Sequence, residues 1–134
     1  KESYRLIAEQ VGVPWRGRRY DRANPASADA PNQALNHAAS AVEAAAAVAC
    51  ACAGAIPQLG FIHEDSGQAF VLDIADLVRT TVTIPVAFRA AKEHLRGQPR
   101  SLETLVRRGA ATAFRTERVI PQLIERVKAL FQMD

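Results

Sequence analysis

One stretch constrains the fold of this sequence more than any other. Between Asn32 and Ala53 nearly every residue is Ala, Val, Leu or Cys. The polar exceptions Asn32, Asn36, Ser40 and Glu43 recur at i, i+4, i+8 and i+11, a single narrow stripe on a helix, with Gln33 and His37 near its start. A helix that is apolar nearly all round belongs at the centre of a fold. Its one polar stripe must face a partner, a cavity or water, because an unpaired buried carboxylate is costly. Gly54 supplies a C-terminal stop signal, and Pro57 follows at the expected distance.

The rest of the chain reads as shorter helices around that one. Its 134 residues make one ordinary domain. Only 6% of residues are aromatic while alanine is abundant, which favours helix over strand. Tyr4, Ile7, Ala8 and Val11 are spaced for a helix over Glu2–Val11 that Gly12 ends. A helix from Gln68 to Thr81 would place Phe70, Val71, Ile74, Leu77 and Val78 on one face, with Asp73, Asp76 and Thr80 on another. Pro85 opens a helix to about Arg96, stopped by Gly97 and Pro99. Ser101 is suited to cap Leu102 to Phe114, and Thr116 to cap a last helix whose core stripe is Val119, Ile120, Leu123, Ile124, Val127, Leu130 and Phe131. The expected fold is all-α, a single helical domain of about six helices over residues 1–134.

Cys50 and Cys52 point about 200° apart on a helix, so they share neither a metal nor a bridge and read as small core residues of a reducing compartment. No signal peptide opens the chain, and its longest apolar run, Ala44 to Ile56, looks too short and too rich in alanine to span a bilayer. A soluble cytoplasmic protein with no membrane partner is expected. The chain opens on Lys1 inside what reads as a helix already under way, which suggests part of a longer protein.

Two features bear on chemistry. The net charge is 17 − 14 = +3, and 14 of the 17 basic residues are arginine, suited to bidentate phosphate contacts. A GC-rich genome would equally enrich both Arg and Ala. The densest cluster, Trp15-Arg16-Gly17-Arg18-Arg19-Tyr20-Asp21-Arg22, sits in a loop with turn chemistry. It reads either as a grip on a nucleic-acid backbone with an aromatic to stack on a base, or as a solvated loop pinned by its aromatics. The second feature is Asp73 and Asp76, at i and i+3 on one helical face, with His63 in the preceding connector. Oxygen donors suit Mg²⁺ or Mn²⁺, and an added imidazole favours Mn²⁺. An exposed polar face beside an unrelated histidine is the plainer reading. Zincin, thiol-pair, P-loop and nucleophile-elbow motifs are all absent.

These elements occur in a telling order. The stretches NQALNHAASAVEAAAAVACACAGAIPQLGFIH and FVLDIADLVRTTVTIPVAF carry GFIH, then DIADL with its first Asp ten residues after the His, then IPVAF. Together with VPWRGRRYD upstream and IPQLIERVKALF downstream, the chain resembles the CRISPR-associated spacer-acquisition integrase and endonuclease family (the "Cas one" family), in its type I-E branch. The resemblance implies the C-terminal helical half of such a protein, without the family's N-terminal β-rich, dimer-forming domain. It implies a catalytic metal site in which His63, Asp73 and Asp76 join a Glu that would lie upstream of Lys1, with Mg²⁺ or Mn²⁺ as cofactor. It implies DNA as substrate and attack of a 3′-hydroxyl on a phosphodiester at the repeat boundary, so that spacer DNA joins the CRISPR array. It also implies homodimers bound to a small partner, the "Cas two" protein. Arg16, Arg18, Arg19, Tyr20 and Arg22 are the expected backbone contacts. A chain lacking the upstream Glu is expected to be inactive alone. The alternative is a non-catalytic helical DNA-binding or interaction domain.

Overall fold

The alanine-rich stretch does form the central helix. The computed structural model describes residues 2–19, 21, 23–54 and 64–130, the side chains of 64–67 excepted. It contains α1 (Glu2–Val11), a 3₁₀ turn (Pro25–Ser27), α2 (Ala30–Cys52), α3 (Glu64–Asp76), a π-helical segment (Arg79–Thr83), α4 (Ile84–Leu95), α5 (Leu102–Thr116) and α6 (Val119–Leu130). These are six α-helices and no strands among the described residues, the all-α fold that composition predicts. α2 packs against α3, α4, α5 and α6, α1 packs on α4, and α4 and α5 pair along their length.

α2 begins two residues earlier than the apolar pattern alone suggests. Asp29 caps it, accepting from the Asn32 backbone N–H at 3.1 Å, and Pro31 lies in its first turn, where a missing N–H costs nothing. Ala34, Ala38, Ala46, Ala49 and Cys50 are buried completely, and their small side chains admit neighbouring helices closely. Over its 23 residues α2 is long and apolar enough to cross a membrane, contrary to the expectation drawn from Ala44 to Ile56. Its buried face is instead covered by four other helices, the arrangement of a core helix. Burial pushes the Cys50 thiol pKa up, away from reactive thiolate, in keeping with a packing role. Connector residues 55–63, including Pro57 and His63, lie outside the described residues.

The single helix expected from Gln68 to Thr81 is divided. α3 ends at Asp76, Leu77 and Val78 form a turn, and residues 79–83 wind as a π-helix in which the Thr83 N–H reaches the Val78 carbonyl at 3.2 Å. Two causes act together. Pro85 cannot donate to the Thr81 carbonyl, and Thr80 to Ile84 is an unbroken run of β-branched residues with low helix propensity. Val71, Ile74 and Val78 are buried as expected, but Leu77 lies beyond the helix end and is 43% exposed.

Thr116 does not cap the last helix. It ends α5, and its hydroxyl donates back to the Thr112 carbonyl at 3.0 Å. The link to α6 is the pair Glu117–Arg118, with Arg118 in the left-handed region at φ 52° and its carbonyl accepting from the Gln122 N–H. Val119, Leu123 and Val127 then form the buried stripe, whereas Leu130 is exposed. Gly109 of α5 faces α4, where a Cβ would come into van der Waals contact with Val86 Cγ1 at 3.4 Å. Ser101 caps α5 as expected, accepting from the Thr104 N–H at 3.2 Å. Ser101→Ala should lower unfolding free energy by about 1 kcal/mol, read as a shift in the urea midpoint with an unchanged m-value.

Candidate nucleic-acid interface

The arginine-rich loop after α1 is held from beneath and from one side. Trp15 stacks on Tyr4 of α1, with ring centroids 5.2 Å apart, and tilts against the fully buried Phe88 of α4 at 5.1 Å. Trp15 therefore serves the pinning role, one of the two readings its sequence context leaves open. On the other side Arg18 lies along α2. Its Nη1 donates to Asn32 Oδ1 at 2.8 Å and its Nη2 to Asn36 Oδ1 at 2.7 Å. The first half of the polar stripe on α2 thus faces this loop.

Arg16 and Arg19 are exposed, and neither guanidinium makes an ion pair or hydrogen bond with another described residue, although the Arg19 backbone N–H donates to Asn32 Oδ1. Tyr20 and Arg22 lie outside the described residues. A cleft of about 870 Å³ opens beside the loop, lined by Glu2, Tyr4, Arg5, Trp15, Arg16, Gly17, Arg18 and Arg79. Arg5 bonds Glu2 and Glu9, which raise its pKa, with Glu2 the larger influence. A second basic groove of about 530 Å³ runs between α4 and α5, where Arg89, Arg100 and Arg108 share the lining with Glu93 and Glu117.

The acidic pair lies on α3. Asp73 and Asp76 are both exposed, while Ile74 and Ala75 between them face the core. Asp76 Oδ1 is 3.5 Å from Arg79 Nε, an i, i+3 pair between the end of α3 and the start of the π-helical segment. With both side chains more than half exposed, this pair contributes little to stability. Asp76 and Arg79 also line a cleft of about 240 Å³ with Glu43, Leu72, Thr83 and α2 residues Ala39 and Val42. Glu43, the last member of the polar stripe, therefore faces Asp76 across this cleft rather than protein core. Arg79 lines both the basic cleft and the acidic one.

Two exposed carboxylates one turn apart fit a hard divalent cation as oxygen donors. Among the described residues no group of three or more His, Cys, Asp or Glu is placed to hold a metal, and His63, their expected third partner, lies outside those residues. Sequence reasoning missed one residue and one contact here. Arg79 had an available signal, its i+3 spacing from Asp76. The tie from Arg18 to Asn32 and Asn36 had none, because it joins residues 14 and 18 positions apart.

The helical architecture and its neighbouring basic and acidic clefts define an α-helical domain with an arginine-lined surface. No family model matches the sequence. The chain is nonetheless 37% identical to the CRISPR-associated endonuclease Cas1 of Geobacter sulfurreducens, over 100% of this chain and 44% of that protein. It is 36% identical to a Cas1 of Thermus thermophilus over 98% of this chain and 39% of that one, and 34% identical to Cas1 of Escherichia coli K12 over 92% and 39%. Its fold aligns with the crystal structure of a TtCas1–DNA complex at a TM-score of 0.82 and 36% identity, covering 98% of this chain and 48% of that one. The chain belongs to the Cas1 family. It spans less than half the length of these relatives.

Proposed function

We propose that this chain is the C-terminal helical part of a CRISPR integrase, the part that grips DNA and presents the catalytic acids. One observation carries the reading. Arg79 lines both clefts, so the proposed phosphate-binding surface adjoins the cleft that Asp76 and Glu43 line, as strand transfer to a phosphodiester would require. The alignment with a DNA-bound relative supports the same reading.

In this scheme Arg16 and Arg19 hold backbone phosphates without reading bases, and Tyr20 and Arg22 extend that contact. His63, Asp73 and Asp76 would hold Mg²⁺ or Mn²⁺. A divalent cation bound there would lower the pKa of the attacking 3′-hydroxyl and neutralise charge on the target phosphate. Arg79 balances the charge of Asp76 before DNA arrives and lies where a phosphate oxygen would enter. The full-length protein acts in the cytoplasm, as a homodimer bound to the Cas two protein. A non-catalytic DNA-binding module would keep the arginine contacts without needing the acids.

The DNA reading is tested by binding. Changing Arg16 and Arg19 to Ala should lower the slope of log K against log salt by about 1.8 for duplex DNA, two contacts at roughly 0.9 each, and equally for unrelated sequences. Loss confined to one sequence, or an unchanged slope, would exclude a backbone clamp in this loop.

A further inference from the structure

We propose that Asn32 is the positioning residue of the DNA-gripping loop, and that Arg18 is the strap it holds rather than one of the loop's phosphate contacts. The proposal rests on the reading of this loop as a DNA contact. It names which of its residues touch DNA and which only place the others.

Asn32 is 0% exposed. A buried amide is tolerated only when its donors and acceptor are satisfied, and this one uses its full capacity. Its Nδ2 donates to the Gly17 carbonyl at 2.9 Å and to Asp29 Oδ1 at 2.9 Å. Its Oδ1 accepts from Arg18 Nη1 at 2.8 Å and from the Arg19 backbone N–H at 3.0 Å. One side chain therefore contacts three successive loop residues, 17 to 19, and the cap of α2. Arg18 completes the tie by reaching Asn36 one turn along, so both terminal nitrogens of its guanidinium are directed at α2. With Trp15 packed on Tyr4 and Phe88, the loop is held at both ends of the Trp15–Arg19 segment.

This arrangement leaves Arg16 and Arg19 outward on a fixed backbone. A loop ordered before binding does not lose its backbone entropy when it meets DNA. Asn32 thus acts on DNA through Arg16 and Arg19 without touching it.

The chain supplies its own reporter, because Trp15 is its single tryptophan. Asn32→Ala removes no charge. It should nevertheless increase acrylamide quenching of Trp15 at least about twofold in the absence of DNA, and lower the salt slope of duplex binding by up to about 1.8 as both arginines lose their placement. Arg18→Lys keeps the charge but cannot bridge Asn32 and Asn36 with a planar fork. It should reproduce both changes, whereas Arg16→Ala with Arg19→Ala should lower the slope and leave quenching untouched. If Asn32→Ala is too unstable to purify, Asn36→Ala removes only the outer bond and should show both effects at smaller amplitude. An unchanged slope in Asn32→Ala and Arg18→Lys, or a slope lost in Arg18→Ala and fully restored by Lys, overturns the assignment. A slope indifferent to the Arg16/Arg19 double variant, with quenching still raised in Asn32→Ala, would refute the DNA reading of the loop while leaving the tie itself standing.

Discussion

In the full-length protein, Asp73→Ala or Asp76→Ala should lower strand joining by at least about a thousandfold, equivalent to roughly 4 kcal/mol of barrier. Each substitution removes an oxygen donor from the proposed cation site, which has few protein ligands, and cation-assisted phosphoryl chemistry depends on several kcal/mol of charge stabilisation. DNA binding should change little or tighten slightly, because each variant deletes a negative charge beside a cationic cleft. For Asp76→Ala a further effect follows from geometry. Arg79 loses the carboxylate 3.5 Å from its Nε and is left uncompensated between the two clefts. Asp76→Ala should therefore bind duplex DNA at least as tightly as Asp73→Ala while joining strands no better. The measurement is strand transfer with a pre-cut duplex in Mn²⁺, alongside equilibrium binding of the same duplex. Retained joining in both variants would remove the acid pair from the catalytic set.

The parts of this molecule that local chemistry controls were legible beforehand. Gly12, Gly54 and Gly97 end helices with positive φ, as their positions after periodic segments imply. The all-apolar character of α2 announced its central place, and its stripe of Asn32, Asn36, Ser40 and Glu43 announced that something polar lay opposite. What lay opposite was not readable. The stripe meets the arginine loop at one end and the Asp76 cleft at the other, and both are decided by how helices cross. The break after Asp76 was likewise hidden. Periodicity continues through Val78, and only the joint demand of Pro85 and the β-branched run before it converts residues 79–83 into a π-segment. Arg79 opens that segment, so a residue that lines both clefts sits where the helical pattern breaks. Thr116 shows the same limit on a smaller scale. A threonine before an apolar run resembles a cap, but the tight two-residue link at Arg118 leaves it inside the preceding helix.

Phe88→Ala should destabilise the chain by about 3–5 kcal/mol, a large part of the 5–15 kcal/mol that holds a domain of this size together. Phe88 is among the largest fully buried side chains and sits on α4, which contacts α1, α2, α5 and the π-segment. Neighbouring small residues, Ala87, Ala90 and Ala91, cannot swing in to fill the void, so the cavity persists. The loss has a second component that an ordinary core truncation lacks. Trp15 rests on Phe88 at 5.1 Å, and Tyr4 rests on Trp15 at 5.2 Å, so the ring series links the core directly to the arginine loop. Removing its innermost member releases Trp15 while leaving Asn32 and Arg18 in place. Urea unfolding should show the lower midpoint, and native-state quenching of Trp15 should rise below that transition. Phe88→Leu, which refills most of the volume without the aromatic face, should recover most of the stability but only part of the quenching protection. A loss under about 1 kcal/mol for Phe88→Ala, or quenching that stays at the parent level before unfolding begins, would show that the loop is carried by its α2 hydrogen bonds alone.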